Sequence, residues 1–366
     1  MKINVSKATF SSIVGIGQKV KKAALESGQK YLELNRGVNA VTEIDLTDVM
    51  SQIDFNSKEF QVYAPNLGLE SLRKAIVKEY FPTYQGQFEN NIAITPGGMP
   101  ALDLVIQLLN VDNIYFPQFY WGSYSKMATI RQRPFSFYNN LSDFDLEKLD
   151  ESSCIFVCDP SNPTGIKLDD NELFDMIEKI NKTGAIIIYD CPYRKLFYQD
   201  NFFDRLAGLE NVIITESFSK WIGLSGLRLG FIFSTNKDFN AELNIRLLYE
   251  FNAVSAPSQM IVERVISTQE GKSAHQAFRK ITTENIKKNI QYLKDRDLLV
   301  KELYGDDIPM GIFAVINKSE DYLFQHKIGA VGLDKFVYYD KDTWSSYSRI
   351  CVSVEHELFK SFISKI

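Results

Sequence analysis

No run in the 366 residues approaches the roughly 18 consecutive apolar residues that a membrane span requires. A secretory leader is not expected either, because Lys2 and Lys7 are followed only by the short apolar patch Phe10 to Ile16, broken by two serines and a glycine and too weak for a secretory apolar region. Cysteine is scarce: Cys154, Cys158, Cys191 and Cys351 lie in or beside apolar runs, without the paired spacing of a zinc site or a secreted disulfide framework. They read as buried thiols of a reducing compartment. Positive charge is not in excess either. The 41 Lys and Arg residues against 46 Asp and Glu give a formal net charge of -5. No basic stripe of the kind that neutralises nucleic-acid phosphates is present. Internal repeats and low-complexity tracts are also missing. These absences predict a soluble cytoplasmic protein that binds neither nucleic acid nor membrane, with 45% hydrophobic residues, enough to fill two domains around a cleft.

What is present is alternation. From about Asn91 to Ser234, short β-rich runs alternate with stretches of helical period, the pattern of an α/β domain with a largely parallel sheet. The expected strands are Ile92–Thr95, Asn113–Phe116, Phe135–Tyr138, Cys154–Cys158, Ala185–Asp190, Val212–Thr215 and Leu229–Phe233. Leu173, Phe174, Ile177 and Ile180 make one apolar helix face, with Asp169 and Asp170 as cap candidates and Gly184 as a stop. Beyond about residue 236 the chain turns to long, charged helical sequence, then to short strands around Ile312–Ile316 and Arg349–Val354. That texture suggests a second, smaller domain. The first 45 or so residues, with a helix ending near Gly28 and a short strand at Tyr31–Asn35, are assigned to it as well.

The segment Ser217-Phe218-Ser219-Lys220 follows an expected strand, with Gly223, Gly226, Arg228 and Gly230 after it. Open α/β sheets place ligands at the carboxyl ends of their strands. A lysine there, beside hydroxyls and an arginine, could form an imine while an anionic phosphate is held against it. Taken alone it would read as a solvated loop lysine. Thirty residues upstream, Asp190 closes a strand with Tyr193 three residues on; it could merely cap a turn, or it could face a pyridine nitrogen. A further 28 residues upstream stands Asn162-Pro163-Thr164-Gly165, which on local grounds is a turn. Gly97-Gly98-Met99 precedes an apolar helix and could offer backbone N–H groups to a phosphate, Pro100 being tolerated in a first turn.

Together these residues resemble the class I/II aminotransferases, the aspartate aminotransferase-like enzymes of fold type I that depend on pyridoxal 5'-phosphate. The order and spacing of the Asn-Pro-Thr-Gly turn, Asp190 with Tyr193, the Ser-Phe-Ser-Lys segment and Gly226 to Gly230 match over roughly residues 60 to 235. The resemblance implies an α/β fold: a large domain, 46–264, with a mostly parallel seven-stranded sheet, and a smaller α+β domain from 1–45 and 265–366. It implies Lys220 as cofactor anchor and base, Asp190 on the ring nitrogen, and Asn162 and Tyr193 on the ring hydroxyl. Gly98, Met99, Ser217, Ser219 and Arg228 fall on the phosphate. Tyr63, in Tyr63-Ala64-Pro65, falls on the phosphate of a partner subunit, which implies a homodimer. Trp121 is the favoured stacking ring, with Tyr120 its competitor. Arg349, Gly37 and Asn162 fall on the substrate carboxylate.

Under that resemblance the expected activity moves the amino group of an L-amino acid to a 2-oxo acid. Other reactions of the same cofactor on an amino acid, by a β-lyase, a decarboxylase, or an oxidase or cyclase, share the scaffold. The arginine at 349 favours transamination, since it suits a substrate held by its α-carboxylate for proton abstraction. A regulator built on the same domain would need a basic DNA-binding segment, which the residues before Tyr63 do not supply. The chain departs from the family at Cys191-Pro192, where many relatives carry a glutamate first.

Overall fold

A computed structural model describes residues 1–3 and 5–366. Its centre is a seven-stranded sheet. In chain order the strands are β1 (Leu32–Glu33), β2 (Ile92–Thr95), β3 (Asn113–Pro117), β4 (Phe135–Tyr138), β5 (Ser153–Cys158), β6 (Ile186–Asp190), β7 (Val212–Ser217), β8 (Gly230–Phe233), β9 (Phe313–Ile316), β10 (Ile328–Gly329), β11 (Val331–Gly332) and β12 (Ser348–Cys351). The large sheet has the order β2-β8-β7-β6-β5-β3-β4, parallel throughout except that β8 runs antiparallel to both its neighbours.

The central strands are apolar along their length because both faces are covered. Ile155, Val157, Ile187, Tyr189, Val212 and Ile214 enter one core, and the alternating Cys154, Phe156, Ile188 and Ile213 enter another on the opposite face. The expected crossover helix is Asp170–Asn181; the Asp169 side chain accepts from the Asn171 and Glu172 N–H groups, and Leu173, Ile177 and Ile180 are buried. Gly184, three residues past its end, turns the chain at a φ of 92°. The first helix, Ser12–Ser27, closes on Gly28 in the left-handed conformation.

The chain termini build two smaller sheets. β1 pairs in parallel with β10, and β11-β12-β9 is antiparallel. Two expected strands are shorter than anticipated. Tyr31–Asn35 is reduced to Leu32–Glu33, and Arg349–Val354 becomes Ser348–Cys351 with Val354 in an isolated bridge to Ala40. Beyond Glu33 the chain bends, with the Asn35 amide bonded to the Ile13 carbonyl of the first helix. The seam expected at 264/265 falls inside the helix Ala256–Ser267, and one apolar cluster extends from Ile16 to Ile363. Among the described residues no helix is long and apolar enough to cross a membrane.

One sheet edge collects the ends that matter. β2, β5, β6 and β7 point the same way, so their carboxyl ends lie together with the start of the antiparallel β8. Register pairs Thr95 and Ser217 with Gly230, and Asp190 with Cys158 and Thr215.

Candidate active site

Lys220 lies in the short helix Phe218–Trp221 directly after β7, partly buried, and its Nζ donates to the Gly37 carbonyl. Burial chiefly lowers this amine to about 8; the charges of Arg349, Arg228 and Arg36 push the same way, and Cys351 opposes them.

Asp190 ends β6 at 6% exposure. The Tyr124 hydroxyl donates to its Oδ2, and Thr215 Oγ1 donates to Oδ1 at 3.2 Å. Burial raises this carboxyl to about 6 against the pull of those two hydrogen bonds. Among the described residues it has no cationic partner within ion-pair distance. A buried carboxylate left so is costly and is suited to a cation supplied by a ligand.

A cradle for an anion forms around β7 and β8. Ser217 Oγ donates to Ser219 Oγ at 2.9 Å and accepts from the Ser219 N–H at 3.2 Å. The helix Gly98–Leu108 starts against them, its first N–H groups free of intrahelical partners. A β-carbon on Gly97 would lie 2.8 Å from the Arg228 guanidinium, and one on Gly230 would lie 2.5 Å from the Glu216 carbonyl and 3.0 Å from the Gly98 nitrogen. The backbone must therefore be bare here. Gly230→Ala is expected to cost about 1–3 kcal/mol through overpacking, read as a lowered melting temperature; unchanged melting would show that the strands spread freely.

Asn162, 5% exposed, donates from Nδ2 to the Tyr193 hydroxyl at 3.3 Å and accepts from Arg349 at its Oδ1 at 3.3 Å. Arg349 also donates to the Asn35 carbonyl, while its Nε has no partner among the described residues. Its guanidinium sits between the Phe313 and Phe336 rings, 4.3 and 4.7 Å from their centroids, and burial lowers it to about 10. The structure thus brings Lys220, Asp190, Asn162, Tyr193, Ser217, Ser219, Gly98, Arg228, Arg349 and Gly37 to one edge of the sheet. In this arrangement the Gly37 carbonyl touches Lys220.

Three expected residues make no side-chain hydrogen bond to this group among the described residues. Tyr63 is 81% exposed, and Met99, in the first turn of the helix Gly98–Leu108, is 47% exposed. Trp121 is half-buried and meets Tyr124 edge-on at 5.6 Å. Tyr120, its competitor, is 7% exposed, tilted 4.9 Å from Phe137, with Ser125 on its hydroxyl.

Several residues have contacts that the sequence did not assign to them. Tyr124 and Thr215 hold Asp190. Arg194, fully buried, pairs with Asp159 at 3.2 Å, Asp170 at 2.7 Å and Asp200 at 2.8 Å, and Lys167 joins Asp159 at 3.2 Å. That network ties the turn containing Asn162 to the turn containing Tyr193. The adjacency of Arg194 to Tyr193 was the signal available. Glu216, 1% exposed, accepts from the Ser217 N–H at 2.7 Å, and burial pushes its carboxyl well above the usual range.

With this geometry in place, likeness to known proteins is informative. The sequence profile described as "Aminotransferase class I and II" matches residues 29–366. A histidinol-phosphate aminotransferase from Pyrococcus furiosus is 26% identical over 217 residues, 58% of this chain and 60% of that protein. An aspartate aminotransferase from Pyrococcus horikoshii is 29% identical over 259 residues, 66% of each. The match thus spans about 60% of the length of the first of these relatives. Aspartate aminotransferase from Thermus thermophilus with maleate superposes at a TM-score of 0.83 with 15% identity, covering 100% of this chain and 99% of that one. Apo-BacF from Bacillus subtilis does so at 0.80 with 18% identity, covering 100% and 98%. These structures share its fold.

Proposed function

The chain belongs to the class I and II aminotransferase family, and from that premise we propose that it moves the amino group of an L-amino acid to a 2-oxo acid with pyridoxal 5'-phosphate as cofactor. The single observation that carries this reading is the convergence on one sheet edge of a depressed lysine, a buried carboxylate lacking a cation, and a bare-backbone cradle beside an arginine. The residues fit the cofactor at each end. Asp190 would face its protonated ring nitrogen, Asn162 and Tyr193 its ring hydroxyl, and Ser217, Ser219, Arg228 and the Gly98–Met99 N–H groups its phosphate. Trp121, the freer of the two candidate rings, would stack on it. When bound, the cofactor supplies an aldehyde carbon that accepts an amino group and a ring that withdraws electrons from the substrate's α-carbon.

The chain's own residues do the rest. Lys220 Nζ would anchor the cofactor and, as a free amine, would take the substrate's α-proton and hold it for redelivery. Its lowered basicity suits it to both transfers. Arg349 grips the α-carboxylate through its fork, with Asn162 keeping the guanidinium in plane, so that the Cα–H bond is held toward Lys220. Residues 46–264 would form the cofactor-binding unit, and residues 1–45 with 265–366 the smaller unit that brings Gly37 and Arg349 to it.

The same reading makes the protein a homodimer, with Tyr63 reaching the phosphate of the partner's cofactor. Asn66 bonds to Asn244, which sets the exposed Val62 and Tyr63 beside a helix, Lys237–Phe251, that exposes Ile245, Leu248 and Tyr249. An apolar face of this kind suits pairing with a second copy.

Visible absorbance tests the activity. A band of the bound cofactor that bleaches on adding an amino acid and returns on adding a 2-oxo acid is expected. Persistence of the band while ammonia, carbon dioxide or peroxide accumulates would replace transamination by another reaction. A protein that cannot take up the cofactor would sink the reading altogether.

A further inference from the structure

Resting on the proposed transamination, we infer that Arg36 is a specificity-determining residue that holds a second, distal anionic group on the substrate. The tripeptide Asn35-Arg36-Gly37 is pinned on both sides of this arginine by the two cations of the site: the Asn35 carbonyl accepts from Arg349, and the Gly37 carbonyl accepts from Lys220 Nζ. It is also pressed against an aromatic ring. A β-carbon on Gly37 would lie 2.4 Å from Phe313 Cζ, and the same ring lies under the Arg349 guanidinium and against Tyr193, centroids 5.4 Å apart. The backbone of Arg36 is thereby fixed at the wall of the cleft, one peptide step of about 3.8 Å from the residues that touch Arg349 and Lys220.

The side chain itself is uncommitted. Arg36 is exposed, and among the described residues its guanidinium has neither an ion pair nor a side-chain hydrogen bond. The other arginines whose charge reaches Lys220 have assigned work: Arg349 sits between two rings with Asn162 on its fork, and Arg228 donates to the Ser225 carbonyl beside the Gly97 backbone. The charge of Arg36 nevertheless reaches the cleft, since it is among the charges that push the Lys220 amine down.

Matching cations to anions then leaves one over. In the proposed reading the cofactor phosphate takes Arg228 and the substrate α-carboxylate takes Arg349. Arg36 remains for an anion at the far end of the substrate side chain. A carboxylate or a phosphate there meets a planar fork that can pair with it bidentately, and a neutral amide of the same shape does not.

Calorimetric titration of the protein as purified with glutarate, 4-phosphonobutanoate and glutaramate, the neutral-ended isostere of glutarate, isolates this contact from turnover. Wild type is expected to bind one or both dianions at least about tenfold tighter than glutaramate, as a charge-assisted pair implies. Arg36→Met is expected to erase that preference while leaving glutaramate affinity unchanged, and Arg36→Lys to restore part of it. Preference for glutarate alone assigns a distal carboxylate, and preference for the phosphonate alone assigns a phosphate. Equal binding of all three ligands in wild type, a preference that survives Arg36→Met, or an equal loss for every ligand would overturn the assignment. An intact preference in a protein that performs no transamination would sink the proposed reaction and leave the role of Arg36 standing.

Discussion

Lys220→Ala is expected to fold and to take up cofactor noncovalently while its turnover falls at least about 10⁴-fold, the upper range for loss of a positioned general base. The argument rests on what the fold does to this amine. At its lowered value of about 8, about one molecule in ten carries a neutral Lys220 at pH 7, against about one in 3,000 for an ordinary lysine. Folding thus prepares a base. The sign of the linked stability follows: between about 8 and the ordinary lysine value of 10.5 the unfolded chain binds more protons, so stability rises with pH through that window and is lost below it. At neutral pH the charged amine therefore opposes folding, and alanine removes that opposition along with some stem packing. The measurement is single-turnover kinetics beside thermal melting of the cofactor-free proteins, with a small primary amine added to the variant. Partial recovery of rate by the added amine would show that the missing element is a base. Full activity without it would place the base elsewhere.

Much of this site was legible because its parts sit on motifs whose local chemistry is unusual. β5, β6 and β7 read clearly, since burial on both faces makes each a continuous apolar run that ends where polar site residues begin. The ends were harder: β7 extends past Thr215 through Glu216 and Ser217, because a carboxyl that looks solvated in sequence is buried. In sequence Tyr124 is one of several aromatics in the stretch from Phe116 to Tyr124. Its bond to Asp190 depends on how the helix Ser123–Ile130 packs on the sheet, 66 residues away in sequence. Arg194 looked like one charge among many, and only folding gathers Asp159, Asp170 and Asp200 from separate segments around it. Gly37 was expected at the site, yet its contact with Lys220 spans 183 residues, and the neighbouring Arg36 gains meaning only from that closure. Period and spacing report what one element buries; they are silent on which distant elements meet.

Asp190→Asn is expected to move stability and activity in opposite directions. In the cofactor-free protein the carboxyl titrates near 6 instead of the ordinary 3.8, so folding disfavours its charge by an amount on the order of 2–3 kcal/mol at neutral pH. Across the interval from 3.8 to about 6 the folded state binds more protons than the unfolded chain. This group's contribution therefore falls as pH rises through that window and stays low above it. Asparagine has no charge to desolvate, and the Tyr124 and Thr215 hydroxyls can turn to accept from its amide. The cofactor-free variant should melt higher than wild type at pH 7 and no higher at pH 4. The same change removes the negative partner of the ring nitrogen, a preorganised charge whose loss typically costs about 10²- to 10³-fold in turnover. Tyr124→Phe, which keeps the carboxylate and deletes one donor, should raise the carboxyl further and lose activity more mildly. Melting of the cofactor-free proteins across pH 4 to 8, alongside turnover of the loaded ones, measures both arms. An asparagine variant that melts lower at pH 7 would mean that the carboxylate is paired within the empty protein and holds the fold together instead of waiting for a cation.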